Sequence, residues 1–128
     1  MPESLDLSND VAQMRYELEE VGEMVNALVR MNARELKPQL LAEMKQDPAL
    51  ADVFLLVDGA TSQGEILKRL QGRGNKGASA ASVSRKLDRL AKELHLIHFA
   101  SRNKTGNVYR LTRLAEVLGL RRAIERQT

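Results

Sequence analysis

Cysteine and tryptophan are both missing from this 128-residue chain. Without cysteine there can be no disulfide, thiolate metal site, cysteine nucleophile or thiol redox switch. Aromatic residues are limited to Tyr16, Phe54, Phe99 and Tyr109, so any core must be built from Leu, Val, Ile, Ala and Met. Long apolar runs are absent too. The longest, Val53 to Val57, is far short of the roughly 20 residues that span a bilayer. The acidic opening MPESLDLSND lacks a signal-peptide pattern. The expectation is a cytoplasmic protein with no membrane partner.

What is present is a lopsided charge distribution. The net charge is only +3. Residues 1–60 hold 5 Lys/Arg against 12 Asp/Glu, a net of −7, whereas residues 61–128 hold 15 against 5, a net of +10. A basic half attracts polyanions and an acidic half avoids them. The chain therefore divides into an N-terminal helical dimerisation segment (1–46) and a basic domain with a C-terminal helix (47–128).

In the acidic half, Leu7, Val11, Met14, Leu18, Val21, Val25 and Leu28 repeat at alternating spacings of four and three. That is a heptad seam over three heptads. The next seam position is Asn32, a polar residue of the kind that fixes register or oligomer state. The stripe must be buried, either by self-association or on the chain's own core, and its regularity favours a homodimer. Met24, Val29 and Met31 widen the apolar face, which leaves four-helix packing or contact with the C-terminal helix open. Pro38 marks a break or the first turn of a new helix.

The basic half carries clear punctuation. Asp47-Pro48 reads as an N-cap and first helical proline, opening a short core helix over 48–57. Ser62-Gln63-Gly64-Glu65 has capping-box form and opens a second helix. The glycine-rich loop QGRGNKGA follows, and then SAASVSRKLDRLAKELHLI over 79–97. In that stretch Val83, Leu87, Leu90, Ala91 and Leu94 recur at helical spacing, and Ser82, Arg85, Lys86 and Arg89 lie on the other side. A slim first turn, an apolar back and a cationic front suit a helix that enters a major groove. Two strands come next, Leu96 to Ala100 and Val108 to Leu111, joined by a turn with Arg102 and Lys104. The tail over 112–128 reads as one amphipathic helix, with Gly119 a point of weakness.

The order of helix, capped helix, turn, helix and basic hairpin is the layout of a winged helix-turn-helix domain. TSQGEILKRL and SVSRKLDRLAKELHLI resemble the two halves of the motif in regulators of the MarR-like and ArsR-like superfamily. VYRLTRLAEVLG is similar to the strand leaving the wing and the helix after it. The resemblance covers about residues 48–119. It implies a mainly α fold with a small β-hairpin, a recognition helix at about 79–94 in the major groove and a wing at about 99–110 on the flank. Ser82, Arg85, Lys86 and Arg89 are the implied groove contacts, with Ser84 near a phosphate and Arg102 and Lys104 on backbone or minor groove. Arg73 and Lys76, in the loop before the helix, are further phosphate candidates.

Other motifs carry less. Gly72-x-Gly74-x-x-Gly77 matches a dinucleotide fingerprint in letters, but it follows a helix rather than a strand. His95 and His98, the only histidines, have no evident third metal ligand. No nucleophile, base and orienter can be assembled, so an enzyme is not expected, nor is a cofactor or a metal. The expected function is sequence-specific duplex-DNA binding as a homodimeric transcriptional regulator. A winged-helix protein–protein adaptor and a non-specific architectural or plasmid-maintenance protein are the alternatives.

Overall fold

The structure is a computed structural model that describes residues 2–75 and 77–127, with side chains from Asn9 onward. It is mainly helical, with one long N-terminal helix and a two-stranded antiparallel hairpin. Helix α1 runs from Pro2 to Gln46, about 68 Å at 1.5 Å per residue. Pro38 lies inside it, so neither a break nor a new helix begins there. A proline in a helix interior costs about 3 kcal/mol. Burial offsets that cost: Leu40 and Met44, within two turns of Pro38, are buried in the core, and Leu36 and Leu41 pack against it.

Helix α1 divides its apolar residues between two faces. Val29, Ala33, Leu36 and Leu40 turn toward the chain's own domain. Val11, Met14, Leu18, Val21, Val25 and Leu28 remain open, each at least half exposed, as do Met24 and Met31. Of the residues that widen the apolar face, Val29 therefore docks on the domain, where α1 meets α2, α5 and α6, while Met24 and Met31 stay open. The side chain of Leu7 lies outside the described residues.

Helix α2 (Pro48–Leu56) starts one residue after α1. Asp47 caps it by accepting from the Leu50 amide at 3.2 Å, with Pro48 in the first turn. Its Leu50, Val53 and Phe54 are fully buried. Helix α3 (Gln63–Gly72) is capped by Ser62, whose Oγ accepts from the Glu65 amide at 3.3 Å. The Glu65 carboxylate accepts from that same hydroxyl at 3.2 Å, a variation on the expected capping box. Helix α4 (Ala80–Asp88) has a full reciprocal box, with Ser79 and Ser82 each accepting from the other's amide.

The expected helix over 79–94 changes geometry midway. From Arg89 to Glu93 it widens into a π turn, where the Leu94 amide reaches back five residues to the Arg89 carbonyl at 3.0 Å. His95 then adopts a left-handed φ of 54° and ends the helix. This conformation usually falls to Gly or Asn at a helix end. Thr112 Oγ1 donates to the His95 carbonyl at 2.7 Å and also caps α5.

Strands β1 (Ile97–Asn103) and β2 (Gly106–Leu111) are longer than the sequence suggested, and the turn shrinks to Lys104-Thr105. Asn103 Oδ1 holds that turn by accepting from the Thr105 amide and hydroxyl. A bulge at Ala100 separates the Phe99↔Tyr109 pair from Ser101↔Val108. The tail forms two helices rather than one, α5 (Arg113–Val117) and α6 (Leu120–Gln127), separated by Gly119 at φ 61°. The core gathers Met44, Leu50, Phe54, Ile66, Leu87, Leu90, Leu96, Leu120 and Ile124.

Candidate nucleic-acid interface

Helix α4 has to bury Val83, Leu87 and Leu90, which fixes what it can present. At 100° per residue, the positions opposite this apolar face are 81, 85, 88 and 92. Ala81, Arg85, Asp88 and Lys92 are indeed all exposed. Lys92 Nζ lies 3.9 Å from Asp88 Oδ1, a loose surface pair, and Arg85 makes no ion pair among the described residues. The outward ridge thus carries two cations, one carboxylate and a small residue at its N-terminal end.

The other candidates on this helix point elsewhere. Lys86 Nζ sits 2.6 Å from Asp47 Oδ2, and Arg89 reaches both Asp47 (3.4 Å) and Glu43 (2.5 Å). Arg89 also lies 3.5 Å from Glu93. Both cations are only about a third exposed, 28% for Lys86 and 31% for Arg89. Ser82 is occupied in the cap and, with Lys86, lines a crevice against Ala49 and Val53 of α2. Ser84 is half-buried on the opposite flank.

Asp47 is the node of this arrangement. Burial opposes its ionisation, but the Lys86 hydrogen bond, the Leu50 amide and the charges of Lys86 and Arg89 outweigh burial and hold its carboxyl below the usual range. One carboxylate therefore caps α2 and fixes the rotation of α4 about its own axis. Asp58 behaves similarly in the turn before α3. Burial opposes its charge, while the Thr61 and Ala60 amides, the Thr61 hydroxyl and Arg69 outweigh burial and lower its pKa.

The hairpin tip is tied down. The Gly64 amide donates to the Thr105 carbonyl at 3.0 Å, and Ser62 Oγ lies 2.5 Å from Thr105 Oγ1. A single bridge joins Ser62 to Val108. A Cβ on Gly64 would meet the Thr105 oxygen at 2.5 Å, so glycine is required for this approach. The turn is thereby fixed against the start of α3, with Arg102 and Lys104 both exposed. Phe99, 56% exposed, stacks edge-on against Tyr109 on the same hairpin. Arg73, at the C-cap of α3, is exposed as well; Lys76 lies outside the described residues.

The histidines have separate surroundings. His98 Nε2 accepts from Arg110 Nε at 2.9 Å, while His95 ends the π turn. Among the described residues there is no group of three or more His, Cys, Asp or Glu side chains that could hold a metal. No helix among them is long and apolar enough to cross a membrane. A cavity of about 540 Å³ lies between the hairpin and the C-terminal helices, lined in part by Asp58, His98, Arg110, Arg113, Glu116 and Arg121. The Arg121 guanidinium donates to the Val57 carbonyl, and its buried Nε has no hydrogen-bond partner among the described residues.

The structure therefore separates the sequence candidates into two groups. Arg73, Arg85, Arg102 and Lys104 are exposed. Ser82, Lys86 and Arg89 are engaged with the cap, α2 and the end of α1. Lys92 and Asp88, not among the sequence candidates, are exposed on the same helix opposite Val83, Leu87 and Leu90. Compared with family models, with curated proteins and with solved structures, the chain matches none.

Proposed function

We propose that this protein is a homodimeric, sequence-specific duplex-DNA-binding transcriptional regulator of the winged helix-turn-helix type. The observation that carries the reading is the exposed ridge of α4. An uncrowded end at Ala81 leads to Arg85 and Lys92, on a helix anchored by Val83, Leu87 and Leu90 within a half of net charge +10. Such a ridge fits a major groove, where Arg pairs with guanine O6 and N7 and a carboxylate such as Asp88 can accept from cytosine N4. Arg73, Arg102 and Lys104 supply backbone contacts that position the ridge. Lys86 and Arg89 are positioning residues, acting through Asp47 to set the angle at which the ridge is offered. The open seam of α1 joins two copies.

A protein–protein adaptor is the second reading, favoured by the open stripe of α1. Selection from a random duplex library with the full chain separates the two. Enrichment of paired half-sites is expected from the DNA reading. A library that stays random while the protein still binds duplex contradicts sequence specificity. No recovery of duplex even at low salt overturns DNA binding.

A further inference from the structure

The open face of α1 carries enough chemistry to fix how two copies meet. Its seam positions fall into two layers: Val11, Leu18, Val25 and Asn32 in one (a), and Leu7, Met14, Val21 and Leu28 in the other (d). Asp10, Glu17, Met24 and Met31 flank the seam on one side (g); Arg15, Gly22, Val29 and Leu36 flank it on the other (e). In a parallel, in-register pair each g position meets the partner's e position five residues on, while in an antiparallel pair g meets g and e meets e.

We infer that the seam binds a second copy of this chain in parallel and in register, resting on the self-association read above. Three of the four flanking contacts then agree in kind, and the fourth sets Glu17 beside the partner's Gly22. Asp10 meets the partner's Arg15 and Met24 meets the partner's Val29. Met31, which is 78% exposed, meets the partner's Leu36, half-buried on the edge of its domain. Asn32 faces the partner's Asn32, so the polar seam residue finds a polar mate. β-Branched Val11 and Val25 in one layer with Leu28 in the other suit two parallel strands.

The antiparallel alignment that overlaps the whole stripe places Val11 on the partner's Leu28 and Met14 on the partner's Val25. It also sets Asn32 on the partner's Leu7, Asp10 on the partner's Met31 and Glu17 on the partner's Met24. Each of those pairs a polar or charged group with an apolar one, which burial penalises. The parallel arrangement puts both basic domains at one end of the rod under one two-fold axis. Two α4 ridges held that way face half-sites on one side of a duplex, about one helical turn, ~10 bp, apart or a multiple of it.

The chain's lack of cysteine makes a clean test possible. Met14→Cys and Val25→Cys each sit on the open stripe, 60% and 50% exposed, away from the core. In the parallel pair each residue meets its own counterpart within disulfide reach, and positions 14 and 25 lie about 16 Å apart along the rod. Under a mild glutathione redox buffer, each variant alone should convert almost completely to a covalent dimer. An exchanged mixture of the two should yield no 14–25 heterodisulfide by mass. A mixture that links only as the 14–25 species, or one that links indiscriminately, overturns the parallel register and leaves self-association standing. Wild-type protein that sediments as a monomer overturns self-association itself.

Discussion

The two halves of this molecule solve opposite problems. In residues 61–128, together with α2 and the end of α1, the aliphatic core is sealed inside, while Arg73, Arg85, Lys92, Arg102 and Lys104 face out. In α1 between Val11 and Met31, carboxylates surround Val11, Met14, Leu18, Val21, Met24, Val25, Leu28 and Met31, each at least half exposed. A packed domain can stand alone; a contiguous exposed apolar stripe is the kind of surface that marks an interaction site. The comparison also shows where a charged side chain does structural work. Lys86 and Arg89 are paired with Asp47 and Glu43 beside the C-terminal end of α1, and Arg85 and Lys92, further round α4, stay exposed.

The largest expected effect breaks the first half and spares the second. Val21→Asp with Val25→Asp places two charges in the seam, and sedimentation should show complete loss of self-association. Both residues are exposed in the single chain, so the thermal unfolding of the domain should persist. Loss of the domain transition along with the dimer would show that the two halves are not separable.

Two glycine substitutions sharpen the same contrast. Gly64→Ala drives a Cβ against the Thr105 backbone and should cost about 1–3 kcal/mol in denaturant unfolding, as overpacking does. Gly22→Ala in the rod meets nothing within 4 Å and should stabilise the helix by about 1 kcal/mol. Equal effects at both sites would contradict the division into a packed and an open region.

Asp47 gives a pH-dependent handle. Its folded pKa lies below the ordinary value of 3.8, so its contribution is present above that pH and is lost as the pH falls through the folded pKa. Asp58 acts in the same direction and over the same acid window. Asp47→Asn should flatten the acid limb of stability below about pH 4 while keeping a side-chain cap on α2. An unchanged acid limb would mean that the Lys86 and Arg89 pairs contribute nothing. Smaller still is the effect of Arg85→Ala, which should leave stability unchanged and reduce the salt slope of duplex binding by about 1 if Arg85 meets phosphate, or relax base preference if it meets guanine.

The sequence made much of the domain legible because its signals are local. Asp47-Pro48 and Ser62 through Glu65 mark helix starts that the structure has within a residue. The heptad spacing is equally local, and Val11, Met14, Leu18, Val21, Val25 and Leu28 are each at least half exposed. Features set by distant partners were not legible. Pro38 argues for a break, and only the burial of Leu40 and Met44 keeps the helix whole. Lys86 and Arg89 look like front-face cations until Asp47, some forty residues earlier, is brought beside them. The docking of Thr105 on Gly64 spans a similar separation and shortened the expected turn. In α4, Ser82, Lys86 and Arg89 lie one position round from the exposed ridge at 81, 85, 88 and 92.

Duplex-DNA affinity of the full chain, followed by fluorescence anisotropy across a salt series, tests the central claim most directly. Binding through the cations of α4 and the hairpin predicts that log Kobs falls linearly with log salt, with a slope of several units set by the phosphates contacted. No anisotropy change at the lowest salt, or an affinity indifferent to salt, would contradict the account of the basic half as a DNA-binding domain.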